Sequence, residues 1–234
     1  MTPGSAAAPV RLRPARSIAL GGAALGGAAQ LALLQGIWAP DPGALVAGVV
    51  HLTVLLSLLG RHAPPVLGPA DAVTLVRAVL AGAVLALVIG HGPVWAIAIW
   101  AGVALLLDLV DGLTARRTRT VSEFGARFDL ECDAFLVAVL SVAAATAVGP
   151  WVLACGALRY LWWLASLRYA WLRAPLPESR ARKLVAAGQG VGLLAVATLP
   201  LPTPAAIAVA ATALGLLCWS FGRDLGWQLR RSRA

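Results

Sequence analysis

Charged residues are scarce in this sequence: they make up 12% of its 234 residues, whereas 60% are hydrophobic. A water-soluble domain could not enclose that much apolar surface in one core, so the scarcity excludes the ordinary soluble classes. The formal net charge of +9 comes from arginines in short clusters between apolar runs, which do not form the single basic face of a nucleic-acid-binding protein. The composition therefore predicts a protein whose solvent is the lipid bilayer, with no nucleic acid among its partners.

Cysteine and histidine are also few, and neither forms a cross-linking or metal-binding pattern. The three cysteines have no paired spacing and lie in apolar stretches, which excludes a disulfide framework and a zinc site. The three histidines are isolated from one another along the chain: His51, His62 and His91. We therefore expect no metal role for either residue type.

Long apolar runs are abundant instead. A transmembrane helix needs about 20 mostly apolar residues, and eight runs bounded by Gly, Pro or charged residues approach that length. They cover residues 17–39, 43–60, 70–90, 93–111, 125–148, 150–172, 184–201 and 204–222. We expect an all-α, polytopic membrane protein with about eight transmembrane helices.

The basic residues fall in alternate connections between these runs. Lys and Arg cluster before the first run and after the second, fourth, sixth and eighth, while the other connections contain none. Because positively charged loops stay on the cytoplasmic side of a membrane, this pattern predicts a cytoplasmic membrane protein with both termini on the cytoplasmic side.

More than half of the ten acidic residues lie between positions 108 and 133, at the predicted cytoplasmic ends of the fourth and fifth runs. A carboxylate at membrane depth costs about 2.5 to 3.5 kcal/mol on insertion scales and needs a partner or an ion. Asp108 and Asp111 are three residues apart and Asp129 and Asp133 four apart, so each pair shares one helical face. Four carboxylates on two facing helices favour Mg²⁺ or Mn²⁺, and two such ions form the clamp used for in-line phosphoryl displacement.

The residues between the two aspartate pairs favour a phosphate ligand. Gly112 allows close backbone approach, Arg116 can present a bidentate fork to phosphate, and Gly125 admits close approach at the start of the next helix. From Asp108 to Asp133 the sequence follows the pattern D-x2-D-G-x2-A-R-x8-G-x3-D-x3-D. It resembles, without departure, the signature of the CDP-alcohol phosphotransferase family.

Two weaker matches extend the resemblance over residues 70 to about 222. Asp71, Thr74 and Arg77 are similar to the family's Asn/Asp-x-x-Thr-x-x-Arg segment at the start of its first core helix, which borders the cytidine site. Lys183 and Gln189 are similar to a Lys-x5-Gln pattern near the fifth core helix.

The resemblance implies an organisation and a reaction. A six-helix catalytic core over 70–222 would follow a basic cytoplasmic N-terminus (1–16) and two additional transmembrane helices (17–60), and would precede a basic cytoplasmic tail (223–234). The reaction would transfer a phosphatidyl group from a CDP-linked lipid, such as CDP-diacylglycerol, to an alcohol acceptor with release of CMP.

The resemblance also implies the role of each residue. Asp108, Asp111 and Asp129 would ligate two Mg²⁺ (or Mn²⁺) ions, while Asp133 would approach the second ion and act as the general base. Ten residues would line the CDP moiety: Ala70, Asp71, Ala72, Val73, Thr74, Gly112, Ala115, Arg116, Ser122 and Gly125.

The acceptor is less constrained. Arg159 lies within the sixth run, and an intramembrane arginine is a functional candidate by default. Pairing with an acidic residue and binding a phosphorylated acceptor are equal hypotheses for it. Lys183 is a second candidate, although a basic loop beside anionic lipid explains it as well. We favour an acceptor that carries phosphate, such as glycerol 3-phosphate or an inositol phosphate, and we expect Glu131 to pair with Arg127 or Arg77.

Two alternatives stay open. An ion-coupled transporter would also place aspartates in the membrane, but these aspartates lie at one edge and no acidic relay continues toward the other face. Glycines of the first run offer a close-packing surface, either for another helix of the chain or for a second copy in a homodimer. They are Gly21, Gly22, Gly26 and Gly27.

Overall fold

The described part of the chain consists of eight α-helices. A computed structural model describes residues 16–38, 41–118, 122–174, 176–177 and 179–233, with side chains throughout except at 109–118, 180 and 233. The helices are α1 (Arg16–Trp38), α2 (Pro42–His62), α3 (Pro69–Ile89), α4 (Val94–Thr118), α5 (Glu123–Val148), α6 (Leu153–Arg168), α7 (Arg180–Thr198) and α8 (Thr203–Arg233). No strand occurs in these ranges, so the prediction of an all-α fold is confirmed.

The helices are those of an integral membrane protein. Five of them (α1, α2, α3, α5 and α8) are long and apolar enough to cross a membrane, and Val94–Asp108 of α4 is a shorter apolar segment. Large apolar side chains cover the outside of the bundle; Leu25 is 75% exposed and Leu184 is 74% exposed. Water would disfavour such a surface, whereas lipid chains solvate it.

Helix α3 is the centre of the bundle. Within an apolar stretch of 18 residues in each helix, 61% of the residues are buried in α3, against 17% in α1 and 22% in α2. It packs against α1, α2, α4 and α5, and α5 in turn packs against α6, α7 and α8. Side chains on the inner faces of α3, α4 and α5 are therefore held from several directions.

The sixth predicted run is not one continuous helix. Gly149 has φ +92°, which ends α5, and Pro150–Val152 form a 3₁₀ turn before α6. Helix α6 has 16 residues, which corresponds to about 24 Å of rise. Tyr169 is extended and ends α6, and Ala170–Arg173 form a second 3₁₀ turn. The carbonyl groups of Leu172 and Ala174 accept hydrogen bonds from the side chain of Gln228 at 3.0 and 2.9 Å, so a side chain on α8 stabilises this turn.

Helix α8 continues beyond the predicted end of the last run. The predicted run ends at residue 222, but the helix extends to Arg233. Asp224 forms an ion pair with Arg182 of α7 at 2.9 Å, and Gln228 is 2% exposed. These contacts fix the added turns against the bundle, which explains why the apolar pattern alone underestimated the helix.

The glycines of α1 divide between two environments. A Cβ on Gly27 would lie 2.7 Å from Leu52 of α2, so this glycine permits close internal packing. Among the described residues, no atom lies within 4 Å of a Cβ added to Gly21, Gly22 or Gly26. Internal packing therefore accounts for Gly27, and the homodimer stays a prediction.

Candidate active site

The first turn of α3 is tied together by Asp71. The backbone N–H of Gly68 donates to Asp71 Oδ2 at 2.8 Å, which caps the helix, and Pro69 follows at a position that suits proline. Thr74 Oγ1 donates to the carbonyl oxygen of Ala70 at 3.2 Å. Asp71 and Thr74 are buried, whereas the three other residues predicted to border CDP in this turn are partly exposed: Ala70, Ala72 and Val73.

The first turn of α5 lies directly against the first turn of α3. Ser122 caps α5, since its Oγ accepts from the backbone N–H of Gly125 at 2.8 Å. A Cβ on Gly125 would collide with Asp71 Oδ1, so any larger residue requires Asp71 or the first turn of α5 to shift. The sequence predicts that Gly125 permits close approach of phosphate, and in the structure Asp71 approaches this glycine. Two helix starts predicted to line the same ligand are thus neighbours.

Three of the four predicted metal ligands converge. Asp108 lies on α4 and Asp129 and Asp133 on α5, and one carboxylate oxygen from each lies within 4.8 Å of the others. The three side chains are 32%, 38% and 37% exposed, so a ligand can reach them. An all-carboxylate donor set suits Mg²⁺ or Mn²⁺, and its spacing fits a shared ion. Helix α4 continues through four other predicted site residues, but the structure does not describe side chains there: Asp111, Gly112, Ala115 and Arg116.

Arg77 of α3 contacts all three aspartates. Its Nη1 lies 2.5 Å from Asp129 Oδ1, its Nη2 lies 3.1 Å from Asp108 Oδ1, and Nη2 also pairs with Asp133. Nε donates to the carbonyl oxygen of Ala104 on α4 at 3.2 Å. The side chain is 1% exposed. A buried arginine is stable only when paired, and here its partners are the carboxylates themselves.

The sequence predicts Arg77 as part of the cytidine-bordering segment and as a candidate partner for Glu131, and not as a member of this cluster. The available signal was its position inside an apolar run, where an arginine requires acidic partners, together with its i+3 spacing from Thr74.

The predicted partner of Glu131 was wrong. Glu131 pairs with Arg159 of α6 at 2.5 Å, and Arg127 pairs with Glu123 at 2.7 Å. The reason is helical geometry: a two-residue offset from Asp129 turns Glu131 off the face of the cluster, and in this bundle that direction leads to α6.

A cavity of about 370 Å³ opens beside Asp133, between α5, α6, α7 and α8. Its lining includes Asp133, Arg159, Arg182 and Gln189. Among the described side chains, Arg159 Nε and Gln189 Oε1 are buried polar atoms without a hydrogen-bond partner. Lys183 is exposed and does not line the cavity; its neighbour Arg182 does. Arg159, Arg182 and Gln189 therefore bring charged and amide side chains to the wall of this cavity.

The fold and the site together define a membrane-embedded helical protein with a carboxylate cluster able to hold a metal ion, and with a cavity next to it that is lined by apolar and several charged side chains. A family model described as CDP-alcohol phosphatidyltransferase matches residues 68–220, which is more than half of the chain. The chain belongs to this family, and the resemblance stated from its motif is confirmed. No curated protein and no solved structure matches the chain.

Membership makes the protein a transferase of phospholipid biosynthesis, from a class that transfers a phosphatidyl group from a CDP-alcohol to an alcohol acceptor. It favours this interpretation over the ion-coupled transporter. The matched range begins just before α3, so α1 and α2 precede the part of the chain that defines the family.

Proposed function

We propose that this protein transfers a phosphatidyl group, or a related substituted phosphate, from a CDP-linked lipid to a phosphorylated alcohol, with release of CMP. The observation that carries the proposal is the convergence of Asp108, Asp129 and Asp133 from two helices, with ligand atoms within 4.8 Å of one another. Arg77 supplies one positive charge against three carboxylates, and divalent cations would balance the remaining negative charge.

The residues that would hold the ions are Asp108, Asp111, Asp129 and Asp133. When bound, the ions neutralise the pyrophosphate and stabilise charge that develops on the transferred phosphoryl group. The family's motif suggests that the side of α4 at Gly112, Ala115 and Arg116 binds the CDP moiety. Arg116 would supply a bidentate fork to phosphate oxygens.

The opposite side of the CDP moiety would lie against the paired starts of α3 and α5. Asp71 and Gly125 are in close contact there, and Ser122 caps α5 beside them. The small residues of these turns leave the backbone accessible, which suits a planar base and a ribose.

Asp133 would act as the general base. It belongs both to the carboxylate cluster and to the lining of the cavity, so an acceptor hydroxyl in the cavity would meet it at the reacting phosphorus. The proton of that hydroxyl would pass to the carboxylate as the new phosphate ester bond forms and the bond to CMP breaks. Because the residue also contacts the ion site, its efficiency depends on position as much as on basicity.

The cavity is the proposed acceptor site. Arg159 contributes a guanidinium group to its lining, and Gln189 contributes a side-chain amide. A phosphate group accepts from the guanidinium and a hydroxyl group donates to the amide oxygen, which favours a polyhydroxy phosphate such as glycerol 3-phosphate or an inositol phosphate. Lys183, exposed at the start of α7, would attract the anionic acceptor from outside.

The test is a product analysis. Purified protein is incubated with CDP-diacylglycerol, Mg²⁺ or Mn²⁺ and a panel of alcohols, and CMP release and lipid products are measured by mass spectrometry. We expect CMP and one new phospholipid with a phosphorylated alcohol, and neither product from Asp133→Asn, although that variant still binds the CDP-lipid. Near-normal turnover by Asp133→Asn would remove its assigned role, and ion transport without any CMP release would contradict the proposed function.

A further inference from the structure

Arg77 is the one described cation that contacts all three aspartates of the cluster. We propose that Arg77 is a positioning residue that acts as a built-in counter-ion, holding Asp108, Asp129 and Asp133 together at one point. This inference rests on the proposed function insofar as those aspartates are the metal ligands. It concerns how the ligand set is assembled, which neither the motif nor the family match assigns.

The geometry of the guanidinium supports this role. One nitrogen, Nη1, pairs with Asp129, and the other, Nη2, pairs with Asp108 and with Asp133. Nε donates a hydrogen bond to the carbonyl oxygen of Ala104. The planar fork thereby joins α3 to both α4 and α5, and its orientation is fixed by a backbone acceptor. Lysine offers a single point charge and could not make this set of contacts.

The charges support it as well. Three carboxylates within 4.8 Å of one another repel, and each is about one-third exposed, so water screens the repulsion only in part. Arg77, at 1% exposure, cannot be solvated by water and depends on the same carboxylates. The arginine and the aspartates therefore stabilise each other in the fold.

A consequence for metal binding follows from this arrangement. A fixed positive charge beside the cluster keeps the ligands assembled, and it also reduces the attraction of the cluster for a divalent cation. Without Arg77, the fold must obtain the missing positive charge from the ion. The protein would then be less stable in chelator and would gain more stability from added metal.

The experiment is a double-mutant cycle read by thermal unfolding in detergent, using tryptophan fluorescence. The four proteins are the wild type, Arg77→Met, Asp129→Asn and the double variant, each measured in chelator and in saturating Mn²⁺. In chelator we expect Arg77→Met to lower Tm by at least about 5 °C, and the double variant to melt above Arg77→Met, because it removes one charge of each sign. Mn²⁺ should raise the Tm of Arg77→Met by more than it raises that of the wild type.

Controls separate charge balance from packing. Arg127→Met removes an arginine whose pair with Glu123 is exposed, and it should match the wild type in both conditions. A double variant that melts no higher than Arg77→Met, or an equal or smaller Mn²⁺ shift in Arg77→Met, would overturn the inference. If Arg77→Met cannot be recovered in chelator, recovery of the double variant as a monodisperse protein supports the inference, and loss of both contradicts it.

The two proposals can fail separately. The charge rescue is measured in chelator without substrate, so it does not depend on catalysis. If the double variant melts above Arg77→Met but the wild type releases no CMP, the counter-ion role is supported and the proposed reaction is contradicted. If the wild type releases CMP but the double variant melts no higher than Arg77→Met, the reaction is supported and the counter-ion role is contradicted.

Discussion

At the scale of single residues, Arg159 decides whether the cavity beside Asp133 is an acceptor site. Its ion pair with Glu131 at 2.5 Å fits a structural role, while its place in the lining of the cavity fits a binding role. The side chain of Glu131 is 55% exposed, so water can solvate its carboxylate when the ion pair is lost. Replacing Arg159 should therefore cost little stability, and a large effect on acceptor binding would indicate the binding role.

We expect Arg159→Met to raise KM for a phosphorylated acceptor at least about tenfold, the effect of losing one charge-assisted hydrogen bond, with a smaller change in kcat. Glu131→Gln is the matched control, since it breaks the ion pair but keeps the arginine. Steady-state kinetics with varied acceptor measures both. An unchanged acceptor KM in Arg159→Met would assign the arginine to structure alone.

The residues of the site differ in how far sequence could predict them. The convergence of Asp108, Asp129 and Asp133 could be expected, because the spacing within each aspartate pair places its carboxylates on one helical face, and the structure brings α4 and α5 together there. Their role as metal ligands stays a prediction. The contacts of Arg77 and the partner of Glu131 could not be expected, because a cross-helix pair depends on which faces meet, and a single sequence gives only the face of each helix. The CDP-binding roles stay predictions.

At the scale of helices, the contact between the starts of α3 and α5 sets the position of the site. Gly125 leaves the space that Asp71 Oδ1 fills, and Asp71 is held by the N–H of Gly68. An added methyl group must displace either a capping carboxylate or the first turn of α5. Such overpacking costs about 1 to 3 kcal/mol.

We therefore predict that Gly125→Ala lowers Tm. It should also reduce the turnover of the protein that remains folded, because α5 carries Asp129 and Asp133. Gly102→Ala is the control: Gly102 lies on α4, and an added Cβ there meets no atom within 4 Å. That change should leave Tm unchanged or slightly raised, as alanine favours helix. Differential scanning fluorimetry and CMP release would measure both, and wild-type values for Gly125→Ala would refute the contact.

The number of α-helices could be predicted from the sequence, but the points at which α6 and α8 end could not. Each of the eight apolar runs contains one helix, because transmembrane length and composition are properties of the sequence itself. The break at Tyr169 and the extension of α8 to Arg233 were missed. Both depend on Gln228, which donates from α8 to the carbonyl groups of the turn after α6, a contact that no periodic pattern encodes.

At the scale of the whole molecule, the bundle is arranged around α3, with α4 and α5 completing the carboxylate cluster and α6 to α8 forming the cavity wall. Helices α1 and α2 pack on the outside of α3 and precede the family's matched range. The cytoplasmic orientation of both termini and of the site, the domain limits and the homodimer stay predictions from charge and glycine patterns.

The most direct test of the account is a Mn²⁺ titration of the purified protein followed by electron paramagnetic resonance. We expect saturable binding with spin coupling between two neighbouring ions, lost in Asp108→Asn and in Asp129→Asn and retained in Glu131→Gln, whose carboxylate lies off the cluster. Equal Mn²⁺ binding by all four proteins, or none by the wild type, would contradict the claim that these aspartates share metal ions.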